Sequence, residues 1–201
     1  MKKNTIKAFT LVEMLIVIVI IGILIASLMP RMQSAQWRAR DVARKNDLSQ
    51  IQTAIITSQT DKWEWPKVVS GRSAITVASI KDELLTAWMS SVPSDPNGSN
   101  TFTGLNGVSY TSWNYAYMVT RRSSIPDGWI ILMAKTETEW GSNWVQCDET
   151  TNGLTGWYIA ANEDLANIQL CLKFTKGTEC KANADECKYQ DVNQLRYILM
   201  Y

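Results

Sequence analysis

The stretch FTLVEMLIVIVIIGILIASLMPRM, residues 9–32, decides how this chain is built. From Met14 to Met29 it contains no charged residue. As a helix, residues 9–29 would be about 31 Å long, enough to cross the hydrocarbon core of a bilayer. The apolar side chains contribute roughly −4 to −8 kcal/mol to insertion, against about +3 kcal/mol for one central acid. Insertion into a membrane is therefore favoured despite Glu13.

Basic residues stand on both sides of the apolar stretch. Three lysines precede it, and five cations follow it: Arg31, Arg38, Arg40, Arg44 and Lys45. A positive-inside count alone would place the C-terminus in the cytoplasm. A cleaved secretory signal is disfavoured because no small-x-small site follows the apolar run. A plain signal anchor leaves Glu13 unexplained, and an intramembrane acid needs a partner.

Residues 7–32 resemble the class III signal of type IV pilins and type II secretion pseudopilins: a basic leader, a small residue, Phe-Thr-Leu-x-Glu and an apolar run. The resemblance implies that a prepilin peptidase cuts between Ala8 and Phe9 and that Phe9 is then N-methylated. It also implies that Glu13 pairs with the Phe9 amine of a neighbouring subunit. Either charge left unpaired in low dielectric would be costly. Ala8 stands where this family usually has glycine. The resemblance also implies that the C-terminal part is exported, and we give this more weight than the positive-inside count.

The helix is expected to run from about residue 9 to residue 58. Beyond the membrane its sequence lacks glycine, and apolar side chains recur at three-to-four spacing. Asp41 and Lys45 are spaced to form an i,i+4 ion pair. The resemblance makes Gly22 and Pro30 the expected kink positions. Proline removes a backbone donor, so Pro30 predicts a kink or local melting.

After Trp65-Pro66 the pattern becomes that of a globular head. Ser79–Ser90 predicts a short helix. Trp113–Val119 and Trp129–Ala134 are aromatic and β-branched runs around a Pro-Asp-Gly turn, which predicts an antiparallel hairpin. The order is similar to pilin heads, in which a small antiparallel sheet covers the helix. The apolar run Leu195–Tyr201 is expected to dock on this sheet.

All four cysteines lie in the C-terminal part of the chain: Cys147, Cys171, Cys180 and Cys187. An even, clustered set is typical of two disulfides in an oxidising compartment. Three pairings are open, and adjacency in sequence favours Cys147–Cys171 with Cys180–Cys187. Free thiols are the alternative if the exterior is not oxidising. A zinc site is not expected, because the chain has no Cys-x-x-Cys and no histidine.

Composition excludes several classes of function. The absence of histidine removes Ser-His and Cys-His catalysis. No phosphate-binding or nucleophile-elbow motif is present, so we expect no enzyme, no cofactor and no metal. A net charge of +1, with Asp41 and Asp47 diluting the basic stretch, argues against nucleic-acid binding. Glycosylation at Asn97-Gly98-Ser99 and Ca²⁺ binding stay open.

The sequence therefore predicts an α+β fold: a long N-terminal helix, about 9–58, membrane-spanning in its first half, on a small antiparallel head with a disulfide-containing C-terminal region. The expected parts are a cleaved leader (1–8), a membrane and polymerisation half (9–30), an amphipathic half (31–58), the head (59–140) and its cysteine-containing region (141–201).

The function implied by the resemblance is that of a structural subunit of a type IV pilus-like fibre. A pseudopilin of a type II secretion system is the alternative, and a monomeric signal-anchored surface binding protein is the alternative from another class. Implied partners are further copies and other pilins, a prepilin peptidase, an inner-membrane assembly platform and membrane lipid. The precursor would span the membrane once, with its C-terminus outside the cytoplasm, before reaching the cell surface. Major or minor status, adhesion, motility and DNA uptake are left open.

Overall fold

The computed structural model describes residues 10–63, 65–66, 74–87, 89–98, 101–103, 109–110, 114–119, 130–146, 171–180 and 185–201. The chain divides into two compact units, residues 1–37 and 38–201. The proposed cleavage site, Ala8 and Phe9, and the first cysteine, Cys147, lie outside the described residues.

A long helix, α1 (Leu11–Lys62), contains 52 residues. It continues without a break through Gly22 and Pro30, so the local melting predicted at Pro30 is wrong, whereas a kink there stays a prediction. The helix also extends one turn past the predicted end at residue 58. The residue after the helix, Trp63, has a left-handed backbone (φ 58°), and its N–H donates to the carbonyl of Gln59 at 2.8 Å.

In the N-terminal unit, α1 presents apolar side chains all round. Its most apolar 18-residue window has a mean hydropathy of 3.0 and is 0% buried. By length and composition this helix can cross a membrane. An apolar surface of this kind, uncovered on every side, needs lipid or other protein around it.

In the C-terminal unit, one face of α1 forms part of the core. Leu48, Ile51 and Ile55 are fully buried, which follows from their spacing of three and four residues. They pack with the inward-facing side chains of a sheet, among them Tyr117 and Leu132. This packing agrees with the amphipathic pattern that the sequence predicts for this part of the helix.

The described residues form nine strands: β1 (Ala74–Thr76), β2 (Phe102–Thr103), β3 (Ser109–Tyr110), β4 (Ala116–Val119), β5 (Ile130–Lys135), β6 (Trp144–Val145), β7 (Phe174–Lys176), β8 (Cys187–Tyr189) and β9 (Leu195–Met200). Five of these strands form one antiparallel sheet in the order β1-β4-β5-β9-β6. The other four form two separate pairs, antiparallel β2 with β3 and parallel β7 with β8.

The predicted hairpin and the docking of the C-terminus are both confirmed. Strand β4 pairs with β5 in antiparallel register, with Tyr117 opposite Leu132. The apolar C-terminal run forms β9, which lies between β5 and β6. The predicted short helix is a 3₁₀ turn, Val77–Ile80, followed by α2, Lys81–Ala87.

Both faces of the sheet are buried. Tyr117 and Leu132 face α1, whereas Met118, Ile131 and Ile198 form a second apolar cluster on the opposite face, each at 1% exposure or less. Alternation along each strand places successive side chains on opposite faces. The continuous burial of β4 and β5 therefore shows a covered sheet, whereas an exposed antiparallel sheet would alternate with polar residues.

Candidate assembly site

The start of α1 is fixed by a reciprocal capping box between Thr10 and Glu13. The hydroxyl and the backbone N–H of Thr10 both donate to Glu13 Oε2 at 2.8 Å. In return, the backbone N–H of Glu13 donates to Thr10 Oγ1 at 3.2 Å. These bonds satisfy backbone donors that a helix N-terminus otherwise leaves without partners. The helix therefore begins directly after the position predicted to become the new N-terminus.

Glu13 is exposed, and the bonds from Thr10 all end on one of its two carboxylate oxygens. An ionised carboxylate has about four acceptor sites, so Oε1 is a second acceptor on the outer surface of the helix. The sequence analysis singled out Glu13 and assigned no separate role to Thr10. The Thr-x-x-Glu spacing is the signal that would have identified Thr10 as a cap.

A buried cluster of charges ties α1 to the head in the C-terminal unit. Arg44 donates from Nε and Nη2 to the carboxylate of Asp95, both at 2.9 Å. It also donates to Asp41 and to Glu137, each at 2.8 Å. The exposed fraction of the Arg44 side chain is 0%. Its ion pairs with the three carboxylates are therefore shielded from solvent by the guanidinium side of each contact.

Asp41 anchors the turn that follows β5. Its carboxylate accepts from the backbone N–H groups of Glu137 and Thr138, both at 2.9 Å, and from the Thr138 hydroxyl at 2.6 Å. The predicted Asp41–Lys45 pair is wrong, because Arg44 takes that position as the i,i+3 partner. Lys45 instead lies over the Trp140 ring, with its Nζ 4.6 Å from the ring centre.

The pKa values in this cluster follow from its contacts. Burial opposes ionisation of Glu137, but hydrogen bonds from Arg40 and Arg44 outweigh it and lower the pKa of Glu137 to about 2. Burial likewise disfavours the charge on Arg44, yet hydrogen bonds and charges from Asp95 and Glu137 raise its pKa. Burial raises the pKa of Asp47, which accepts a 2.6 Å hydrogen bond from the hydroxyl of Tyr115.

The disulfide pairing differs from the one favoured by sequence adjacency. Cys171 is bonded to Cys187, with a Cα–Cα distance of 5.7 Å. The parallel pairing of β7 and β8 places Cys187 opposite Phe174, three residues from Cys171. Cys180 is also disulfide-bonded. Strand pairing, which adjacency ignores, therefore decides which cysteines meet.

No group of three or more metal-binding side chains that could hold an ion is found among the described residues. The glycosylation candidate Asn97 has a side-chain amide that points at Glu137, with Nδ2 3.4 Å from Oε1, and its backbone N–H donates to Asp95 at 2.8 Å. Asn97 thus belongs to the edge of the charge cluster.

An apolar membrane-length helix opened by a Thr–Glu cap, together with an α+β head that carries a C-terminal disulfide, fits a membrane-anchored precursor with a prepilin-type N-terminus. The family model of the prokaryotic N-terminal methylation motif matches residues 3–29. The type II secretion system core protein G of Pseudomonas aeruginosa is 27% identical over 104 residues, which cover 49% of this chain and 73% of that protein. No solved structure matches. These two similarities support the type IV pilin and type II secretion pseudopilin family, which consists of structural proteins.

Proposed function

We propose that this chain is a structural subunit of a type IV pilus-like fibre, made as a membrane-anchored precursor and cut between Ala8 and Phe9 by a prepilin peptidase. The observation that carries the proposal is the exposed Glu13 carboxylate, held by Thr10 at the first turn of an uncovered apolar helix. Methylated Phe9 would supply a cationic amine, and Glu13 Oε1 of a neighbouring subunit would accept it.

Assembly in this scheme replaces lipid around the helix with neighbouring helices. Apolar contact is conserved in that exchange, so packing and the amine–carboxylate pair decide whether it is favourable. A precursor that keeps its leader has no amine at Phe9. Cleavage would therefore switch the subunit from a membrane protein to a polymerisable one, through contacts with other copies and an inner-membrane assembly platform.

An exported head is compatible with the folded positions of the cations that follow the membrane segment. Arg40 and Arg44 are bound to carboxylates of the head, and Lys45 lies over Trp140. Of the five cations that follow the apolar segment, only Arg31 and Arg38 are then left to count in the positive-inside comparison. Three lysines precede the apolar segment, so the comparison now favours the N-terminal side as cytoplasmic. We therefore place the C-terminus outside the cytoplasm.

A pseudopilin of a type II secretion system is the second candidate, and the similarity to a core protein G supports it. The two candidates share cleavage, methylation and helix-mediated polymerisation. They differ in the length of the fibre and in whether deletion of the chain abolishes protein secretion. A long surface fibre without a secretion defect supports the pilus; the reverse supports the pseudopilus.

Mass spectrometry of the N-terminal peptide tests the proposal. We expect protein sheared from the cell surface to begin at N-methylated Phe9. We also expect Glu13→Ala to be processed normally and to yield few fibres, whereas Leu11→Ala, a neighbouring change without a charge, assembles. An intact Met1 in a protein confined to membranes would identify a monomeric signal-anchored protein and remove the proposal.

A further inference from the structure

The loop after α2 contains an asparagine followed directly by a glycine, Asn97-Gly98. Asparagine is a chemically labile residue, because the backbone nitrogen of the next residue can attack its side-chain amide carbon. Glycine favours this attack, since it has no side chain to block the approach. Two further Asn-Gly pairs, at 106–107 and 152–153, lie outside the described residues. Asn97 is therefore the pair whose surroundings the structure shows.

The attacking group at this pair is the backbone N–H of Gly98, which lies half-buried in a turn. It donates to no group among the described residues, so no described hydrogen bond has to break before it reacts. Asn193 shows the opposite arrangement. The next N–H in the chain, that of Gln194, donates to the carbonyl of Asp191 at 3.0 Å.

The group under attack is the side-chain amide of Asn97. Its Nδ2 lies 3.4 Å from Glu137 Oε1, which is long for a hydrogen bond, and the backbone N–H of Asn97 donates to Asp95 at 2.8 Å. Asn143 is held more firmly. Its Nδ2 donates to the carbonyl of Ile198 at 2.7 Å, and its Oδ1 accepts from the N–H of Ile198 at 2.8 Å. The two contacts fix both ends of that amide.

We propose that Asn97 is a site of spontaneous deamidation in the folded protein. The Gly98 nitrogen forms a bond to Cγ of Asn97, and the Cγ–Nδ2 bond breaks. The proton of the Gly98 N–H leaves with the amide nitrogen as ammonia. Water then opens the cyclic imide at either of its two carbonyl carbons, which gives aspartate or isoaspartate at this position. Each product carries a new carboxylate, and water is the only co-reactant.

The new carboxylate would stand against the charge cluster that ties α1 to the head. In aspartate an oxygen takes the place of Nδ2, which lies 3.4 Å from the carboxylate of Glu137. Like charges this close repel each other. The ion-paired cluster already contains three carboxylates against two guanidinium groups: Asp41, Asp95 and Glu137 against Arg40 and Arg44. Deamidation would therefore weaken the cluster progressively as the molecule ages.

Peptide mass spectrometry of the full chain, kept in detergent micelles at slightly alkaline pH, tests the reaction, with fragment ions assigning the changed residue. We expect Asn97 to convert in the folded chain at a substantial fraction of its rate in the urea-unfolded chain, whereas Asn143 and Asn193 stay amides. Gly98→Ala adds a methyl group beside the reacting nitrogen and should lose most of the conversion. The proposal is overturned if folded wild type keeps Asn97 intact while unfolded chain converts, or if Gly98→Ala reacts as fast as wild type.

Thermal unfolding of unaged variants tests the consequence. Asn97→Asp should lower the unfolding midpoint below that of Asn97→Gln, which changes the side chain without adding a charge. Asn46→Asp adds the same charge at an exposed position of α1 and should stay close to wild type. Equal midpoints for Asn97→Asp and Asn97→Gln would contradict the effect on the cluster. Near-ultraviolet circular dichroism shows that each variant is folded, and neither measurement depends on cleavage before Phe9 or on a fibre.

Discussion

Arg44 and Asp95 form a two-point pair inside the head, with Nε–Oδ2 and Nη2–Oδ1 distances that are both 2.9 Å. The two residues are 51 positions apart in the chain. A planar guanidinium can bind both oxygens of a carboxylate at once, which lysine cannot do. This pair joins α1 to the loop after α2, and Arg44 extends the connection to Glu137 after β5.

Arg44→Met is expected to destabilise the head by about 3 to 5 kcal/mol, because it leaves the carboxylates of Asp95 and Asp41 buried without their cation. Arg44→Lys keeps a charge but not the two-point geometry, and its loss should be smaller. Urea unfolding of the full chain in detergent micelles, followed by near-ultraviolet circular dichroism, gives the free energies. Arg38→Met on the exposed part of the same helix is the control, and an equal loss there would contradict the role assigned to the pair.

The depressed pKa of Glu137 predicts loss of stability in acid. Its pKa is about 2 when folded, against an ordinary value of 4.5. The contribution of this carboxylate is therefore complete above about pH 4.5 and is lost as the pH falls towards about 2. Asp47, whose pKa is raised, shifts stability in the opposite sense.

Glu137→Gln should lower the stability of the head at neutral pH and flatten its decline between about pH 4.5 and about pH 2. Thermal unfolding of the full chain at a series of pH values measures both effects. The exposed Glu179→Gln is the matched control and should leave the profile as in wild type. An unchanged acid limb in Glu137→Gln would show that another carboxylate governs it.

The sequence predicts the helix, the β4–β5 hairpin and the docking of β9 because each depends on a local pattern. The charge cluster depends on partners from distant parts of the chain, and nothing in the residues around Glu137 marks it as the partner of Arg44. The same limit applies to Cys171, whose partner is set by the pairing of β7 with β8. Thr10 is the opposite case, since the local Thr-x-x-Glu spacing of residues 10–13 is enough to predict its capping role.

Gly141 is expected to tolerate no side chain. A Cβ there would lie 2.2 Å from Asp41 Oδ2 and 2.7 Å from Asp41 Cβ, so either the turn or the carboxylate must move. Gly141→Ala should cost about 1 to 3 kcal/mol by overpacking. Gly177→Ala, whose nearest neighbour is the flexible side chain of Lys188 at 3.4 Å, should cost much less. Equal unfolding midpoints for the two variants would contradict this close approach.

The disulfide in the structure predicts a specific cross-linked peptide. Non-reducing peptide mapping should find Cys171 joined to Cys187. Cys171→Ser with Cys187→Ser opens a loop with a sequence separation of 16, which should cost about 3 kcal/mol of unfolding free energy. A map with Cys180 joined to Cys187 would restore the adjacent pairing.

The Thr10–Glu13 cap predicts that Thr10 matters for assembly even though it lies beside the cleavage site and carries no charge. Thr10→Ala removes the hydroxyl that donates to Glu13 Oε2 and accepts from the Glu13 N–H, at a cost of about 1 kcal/mol to the first turn. The carboxylate is then less well oriented toward a neighbouring amine. We expect normal processing at Phe9 and a reduced yield of fibres, measured by shearing and quantitative immunoblotting. Thr10→Ser keeps the hydroxyl and should restore the yield; if it assembles no better than Thr10→Ala, the cap does not orient Glu13.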